Sequence, residues 1–382
     1  MYSVSGYGKM IADAPRMEAY VSALRQSVRP GSVVIDLGSG PGLFALLACQ
    51  MGARRVYAIE PDNVIEAARQ GAMVNGYQDR LVCIQDFSTR VTLPEQGDVI
   101  ISDLRGVLPW FQQHLPSIVD ARRRLLKPEG ILIPQRDVLW AALVEAPETY
   151  SEIVCPWENK RYGLDLSSAR RFVTNTWRKL RVNAEQLLVK PNRWCVLDYS
   201  KVENPDIKGE ISWTIAEART SHGLLVWFDS ELIEGIGFSN SPGDAELVYG
   251  NAFFPFSYPL ELIAGDEITV TLSADLLGDD YVWRWNTRVV NQQNPEPVKM
   301  TFKQSTFFGV PRSAARLHKQ SASHLPVLND EGAIERLILS LMDGKTALEE
   351  IAHQLTALYP GHFASYKRAL AHVSELSQKY SA

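Results

Sequence analysis

The chain has 382 residues, 46% of them hydrophobic and 22% charged, with a net charge of −5. That length exceeds what one hydrophobic core serves, so two or three domains are expected. The negative charge argues against nucleic-acid and membrane-surface binding, which need a basic face.

The four cysteines, Cys49, Cys83, Cys155 and Cys195, form no C-x-x-C pair, which favours reduced thiols and no metal site. The start, Met1-Tyr2-Ser3-Val4-Ser5-Gly6, lacks a basic segment followed by an apolar run, so no signal peptide is expected. No apolar run approaches membrane-spanning length. A cytoplasmic protein is the expectation.

In chain order, Met17, Tyr20, Val21 and Leu24 fall at helical spacing behind Pro15, predicting a leading helix. Arg16 on it either reaches a ligand carboxylate or is a solvated side chain; spacing does not choose. Val33-Val34-Ile35-Asp36-Leu37 is the apolar run of a buried parallel strand. Gly38-Ser39-Gly40-Pro41-Gly42 breaks it, a compact apolar helix follows, and a second strand, Val56-Tyr57-Ala58-Ile59, ends in Glu60.

Glycines let backbone approach a ligand, and an acid at the second strand's tip suits a ribose diol. The third glycine comes too early for a dinucleotide fingerprint, G-x-G-x-x-G. Asp36 beside the turn would repel a diphosphate and suits a cationic ligand. S-adenosylmethionine, with an ammonium and a sulfonium and no phosphate, is therefore the expected cofactor. Met10, Ser39 and Pro61 complete the candidate contacts with Arg16, Asp36, Gly38, Gly40 and Glu60.

A helix is predicted over 64–75 and a third strand over 81–84. Asp86 and Phe87 follow at its end, either to meet an adenine ring or as a turn acid and a core aromatic. The fourth strand, Asp98-Val99-Ile100-Ile101-Ser102, leads into Asp103-Leu104-Arg105-Gly106, and strand ends in open parallel sheets carry ligands and catalytic groups. A helix over 116–126 and a strand over 130–134 complete an alternating α/β pattern.

From about 136 to 306 strand-like alternation dominates, as in Leu224-Leu225-Val226-Trp227-Phe228 and Ile268-Thr269-Val270-Thr271-Leu272. Inside it, residues 166–188 look helical, and their basic side chains read as a solvated helix face. Residues 311–326 read as a linker. Three helices are predicted beyond it: one capped by Asn329 or Asp330, one opened by a capping box at Thr346-Ala347-Leu348-Glu349, one starting at Ser365. The second carries Glu349 and Glu350 and no basic residue, which is wrong for a DNA groove. A small docking module is preferred.

Taken together, these pieces resemble the protein arginine methyltransferase family over about residues 7–308. The matching motifs are Met10, Asp13 and Arg16; Asp36-x-Gly38-x-Gly40; Glu60; Ser102-Asp103-x-x-Gly106; Tyr162-Gly163-x-Asp165; and Phe238-Ser239-x-Ser241-Pro242. The resemblance implies that Arg16, Gly38 and Glu60 hold the cofactor and that the segment about 162–188 is a dimerisation arm of a homodimer. It implies a Rossmann-like methyltransferase domain (1–135) and then an antiparallel β-barrel-like domain (136–310); the residues beyond read, from their own pattern, as the linker (311–326) and a helical domain (327–382). The last resembles PqqD-like peptide-binding modules.

Departures from the family pattern shape the expected chemistry. Its active-site hairpin carries two glutamates; here Asp103 and Gln112 stand there, and Leu247-Val248-Tyr249 replaces a Thr-His-Trp loop. A buried charge-assisted hydrogen bond contributes about 1.5–3 kcal/mol, so losing one carboxylate weakens a guanidinium site. The reading preferred from the sequence is therefore a methyltransferase acting on a neutral N or O nucleophile of a peptide or small amino-acid-like acceptor. Asp103 serves as orienting acceptor or general base, Gln112 as a hydrogen-bonding partner and Tyr7 as a wall of the methyl channel. Arg105 is a candidate for a substrate carboxylate or else a solvated arginine, His114 a spare base or else a helix-face histidine, and Tyr249 a third substrate-side candidate. The alternatives are an arginine N-methyltransferase with a weakened grip and a non-catalytic peptide-binding scaffold.

Overall fold

The structure, a computed structural model, describes residues 4–160, 162–293 and 297–381. Positions 1–3 of the amino-terminal stretch discussed above lie outside the described residues. The chain divides into two compact units, one up to Pro311 and one from Arg312.

In the first unit, α1 (Val4–Ile11) and α2 (Ala14–Ser27) precede β1 (Val33–Leu37), α3 (Leu43–Gln50), β2 (Arg55–Ile59), α4 (Ile65–Val74) and β3 (Leu81–Ile84). After them come β4 (Gly97–Ser102), α5 (His114–Arg124) and β5 (Leu126–Ile133). The five strands form one parallel sheet in the order β3-β2-β1-β4-β5. Strand β1 is buried along its whole length, as its unbroken apolar run requires. The chain reverses its direction of winding between β1 and β4, and in such sheets the ligand crevice opens there, beyond the carboxyl ends of the strands.

Beyond β5 lie β6 (Arg136–Val144), α6 (Pro147–Glu158), α7 (Arg170–Thr174), β7 (Arg178–Leu180), β8 (Asn192–Asp198), β9 (Ile207–Thr214) and β10 (Arg219–Ile233). They are followed by β11 (Ile236–Ser239), β12 (Asn251–Leu262), β13 (Glu267–Leu277), β14 (Asp280–Val290), β15 (Val298–Ser305) and the one-turn α8 (Thr306–Gly309). Two antiparallel sheets result: β7-β12-β10-β6-β8, with β11 on β10, and β15-β14-β13-β9. The boundary expected at 135/136 falls in the turn between β5 and β6, yet no separate core marks it. Ile35, Leu37 and Ile100 of the parallel sheet share one cluster with Trp110, Trp194, Trp283, Trp285 and Phe254. The Trp110 and Trp194 ring centroids are 5.2 Å apart.

Three expectations need correction. The stretch 166–188 is helical only at 167–169, in α7 and at 184–186, while β7 between them pairs with β12. Its run Val173-Thr174-Asn175-Thr176-Trp177 is rich in β-branched and capping residues, which favour ending a helix. The expected linker holds a short helix, α9 (Ala314–Lys319). The third concerns the capping box in the second unit.

That unit comprises α9, α10 (Asp330–Leu341), α11 (Leu348–Leu358) and α12 (Tyr366–Tyr380), the last three packed around Ile334, Ile338, Ile351, Leu355, Val373 and Leu376. Asn329 caps α10, its side chain accepting from the Gly332 N–H at 2.9 Å. The N-cap of α11 is Ala347 and makes no side-chain bond, so Thr346 is not the cap. Asp343 takes the Lys345 and Thr346 N–H groups instead. No helix among the described residues is long and apolar enough to cross a membrane.

Candidate active site

The glycine turn after β1 has positive φ at Gly38 (66°) and Gly40 (52°), a conformation that favours glycine. A Cβ at Gly38 would lie 2.1 Å from the Leu104 side chain, and one at Gly40 would lie 2.6 Å from the Tyr7 ring. The turn is thus clamped between the segment after β4 and helix α1. Glu60, at the end of β2, accepts from the Gly40 N–H and the Asp62 N–H, each at 3.0 Å. Burial still pushes its carboxyl above the usual range, against those two bonds.

Asp36 does not face the ligand space, contrary to the sequence expectation. It is buried beneath the turn and accepts from the Ala45 N–H at 3.0 Å. Its carboxyl is pushed up to about 7, first by burial and then by Glu60, with the Ala45 bond opposing. The acid occupies a backbone donor in the first turn of α3, where a diphosphate would otherwise bind. The argument against a dinucleotide therefore holds through a different contact. Ser39 Oγ is buried without a hydrogen-bond partner among the described residues, a donor free to serve a bound group.

At the end of β4, Asp103 is gripped from two sides. Arg16 donates from Nε at 2.9 Å and forms an ion pair through Nη2, while the Tyr249 hydroxyl lies 2.7 Å from each carboxylate oxygen. Arg16 also donates to the Met10 carbonyl at 3.0 Å, so it is neither solvated nor a loose helix face. Burial opposes ionisation of Asp103, but Arg16, Arg105 and the Tyr249 hydroxyl outweigh it and hold the carboxyl below its ordinary range. Tyr249 is raised well above the usual phenol, by burial and then by Asp103. Asp103 is the anion, and Tyr249 its proton donor.

Arg105 is neither solvated nor open to a substrate carboxylate. Its guanidinium is buried and donates to Asp137 at 2.7 Å, Ser230 at 2.8 Å and the Tyr20 hydroxyl at 3.2 Å. Its Nε stands 3.4 Å from Asp103 Oδ1. His114 is buried at the start of α5 with Nδ1 2.8 Å from the Pro109 carbonyl. Burial pulls its pKa down to about 4, so it is neutral at physiological pH and engaged in holding the hairpin. Gln112 is exposed, with φ of 44°.

A cavity of about 570 Å³ opens over these groups. It brings together Tyr7, Met10, Arg16, Gly38, Ser39, Glu60, Pro61, Asp86, Phe87, Asp103, Gln112 and Tyr249, with Arg105 and His114 in its wall. Asp36 and Gly40 lie behind its surface. Phe87 remains 54% exposed, with the Arg90 guanidinium 5.1 Å from its ring centroid. Lys179 of β7 also lines the cavity, where the expectation from local pattern was a solvated helix face. Asp13, whose Oδ2 accepts from the Val248 N–H at 2.6 Å, fastens the loop that carries Tyr249. Asp13 was visible as a motif residue, but the partners of both lie far away in the sequence.

An acid for a ribose, an exposed aromatic, a buried arginine near a carboxylate and a glycine turn without a free phosphate cradle suit S-adenosylmethionine. Known proteins agree. The model of the arginine methyltransferase oligomerization subdomain matches residues 135–285, and that of ribosomal protein L11 methyltransferase matches residues 17–146. The protein arginine N-methyltransferase 1 of Schizosaccharomyces pombe is 28% identical over 276 residues, covering 69% of this chain and 80% of the relative. The probable protein arginine N-methyltransferase 6 of Arabidopsis thaliana is 29% identical over 243 residues, covering 61% of this chain and 55% of that protein. The chain thus spans just over half the length of the latter. The crystal structure of Arabidopsis thaliana protein arginine methyltransferase 10 superposes with a TM-score of 0.69 at 21% identity, over 80% of this chain and 98% of that one.

The chain is an S-adenosylmethionine-dependent methyltransferase, similar to the protein arginine methyltransferases. Asp103 lines the same cavity as Glu60 and Phe87.

Proposed function

We propose that this methyltransferase acts on a guanidinium nitrogen of arginine, the acceptor named in its relatives, through a site with one carboxylate in place of two. The observation that carries the reading is the ionised Asp103, held by Arg16 and Tyr249 on the wall of the cofactor cavity. S-adenosylmethionine supplies the sulfonium methyl group. Asp103 accepts hydrogen bonds from the guanidinium and keeps one nitrogen aimed at that methyl, which is positioning chemistry. Gln112 offers its amide oxygen where a second charge would hold the acceptor more tightly. Similarity to an oligomerization subdomain supports a homodimer, and the three-helix unit is proposed as a PqqD-like dock for the peptide bearing the acceptor.

The decisive assay is methylation of arginine peptides and of free arginine, read by mass spectrometry. Methylarginine is expected, Asp103→Asn should lower kcat about a hundredfold or more with cofactor affinity nearly retained, and Gln112→Glu should raise kcat/KM about tenfold. A neutral amine or hydroxyl acceptor is the second reading, favoured by the uncharged Gln112 and by the two arginines that offset Asp103. Labelled product lacking methylarginine, with Gln112→Glu slower than wild type, would select it.

A further inference from the structure

The rim of the cavity carries a cation that the methyl-transfer site does not use. Lys179 lies on β7, and its Nζ donates to the carbonyl of Val248. Its stem crosses Gly250: a Cβ there would meet Lys179 Cε at 2.9 Å and Cγ at 3.1 Å. Gly250 thus leaves room for the lysine stem to lie across the loop. Val248 precedes Tyr249, whose hydroxyl holds Asp103, so the ammonium is fixed to the same loop that fixes the carboxylate.

Among the described residues no carboxylate pairs with Lys179. Arg181, the nearby cation whose charge is met, pairs with Glu246 at 2.6 Å. Burial, then Arg181 and Lys9, pull the Lys179 ammonium below its ordinary range, as befits a cation among cations. A positive group held at a cavity mouth with only a carbonyl for company attracts an anion. Inside, Arg16 is matched by Asp103 and Arg105 by Asp137, so of the three cations that line the cavity beside Glu60, Asp62 and Asp86, Lys179 is the one that no carboxylate pairs with among the described residues.

We propose that Lys179 is a specificity-determining residue that binds a carboxylate of the acceptor close to the methylated group. That carboxylate is either an acidic side chain one or two residues away or the carboxyl terminus of the peptide. The proposal rests on the reading that the acceptor enters this cavity.

The test measures binding of fluorescent arginine peptides to the full chain saturated with S-adenosylhomocysteine, so that turnover is not required. Four peptides are compared: an acidic or a neutral neighbour of the arginine, each with a free or an amidated carboxyl terminus. Wild type should bind the peptide with the recognised carboxylate about three- to tenfold more tightly than its neutral counterpart, and the pair that shows the difference identifies the source. Lys179→Arg should keep the preference, Lys179→Gln should abolish it, and Lys179→Glu should invert it towards a basic neighbour, all with an unchanged thermal midpoint. Equal binding of all four peptides by wild type, or a preference that survives Lys179→Glu, overturns the proposal. A preference in binding without any methylarginine formed would remove the arginine reading and leave the role of Lys179 standing.

Discussion

Asp103 shows how a single residue's role depends on partners far along the chain. Arg16 and Tyr249 lie 87 and 146 positions away, yet they decide that this carboxyl is an anion at every physiological pH. The Tyr249 hydroxyl stabilises the charged form, so Tyr249→Phe should raise the Asp103 pKa. The acid limb of the kcat/KM profile should then move to higher pH, with little change above neutrality. A limb that stays in place would take Tyr249 out of the electrostatics of the acceptor site. Lys179 makes the same point in reverse: in the sequence it is one of several basic residues, and only the strand pairing of β7 with β12 brings it to the cavity.

At the scale of the element, the turn between β1 and α3 is the most legible part of the protein. Its glycines, apolar strand and acid-tipped second strand are local features, and they form the elements they predict. Asp36 is the exception, since local order puts it beside the turn without saying which way it points. It points inward to the first turn of α3, where its burial has a pH signature. Its folded pKa, about 7, exceeds its ordinary 3.8, so the folded state binds the extra proton between those values. The stability it contributes is complete below about 3.8 and is lost as pH rises through about 7. Asp36→Asn keeps an oxygen for the Ala45 N–H, so it should flatten the thermal midpoint between pH 5 and 8. The wild type should decline relative to it by up to about 1.4 kcal/mol per pH unit in that window. Equal slopes would show that Asp36 stays ionised throughout. The stretch 166–188 failed as a helix for an element-scale reason: β12 offered an edge, and pairing with it overrode local propensity.

Across the first unit as a whole, the parallel sheet and the antiparallel sheets are joined by a buried ion pair as well as by tryptophans. Arg105, just after β4, reaches Asp137 on β6, and the Tyr199 hydroxyl donates to the other Asp137 oxygen at 2.6 Å. Removing one partner leaves a buried charge without its match, at a cost of about 3–5 kcal/mol. Asp137→Ala should therefore lower the thermal midpoint sharply, and adding Arg105→Met should recover much of the loss. If the single variant melts like wild type, the pair does not hold the two sheets together. The second unit, with its own apolar cluster, stands outside this network.

What the sequence determined by itself is whatever short-range order can encode: the alternation of strands and helices, the glycine turn, Glu60 at a strand end, the cap at Asn329 and the choice of a phosphate-free cofactor. Tertiary structure alone decided that Arg105 faces Asp137, that Arg16 and Tyr249 share Asp103, that Asp36 caps a helix and that Lys179 borders the cavity. The physical reason is that charge acts through space. A side chain's partner, burial and ionisation follow from what the folded chain places within a few ångströms of it, and no spacing along the sequence records that.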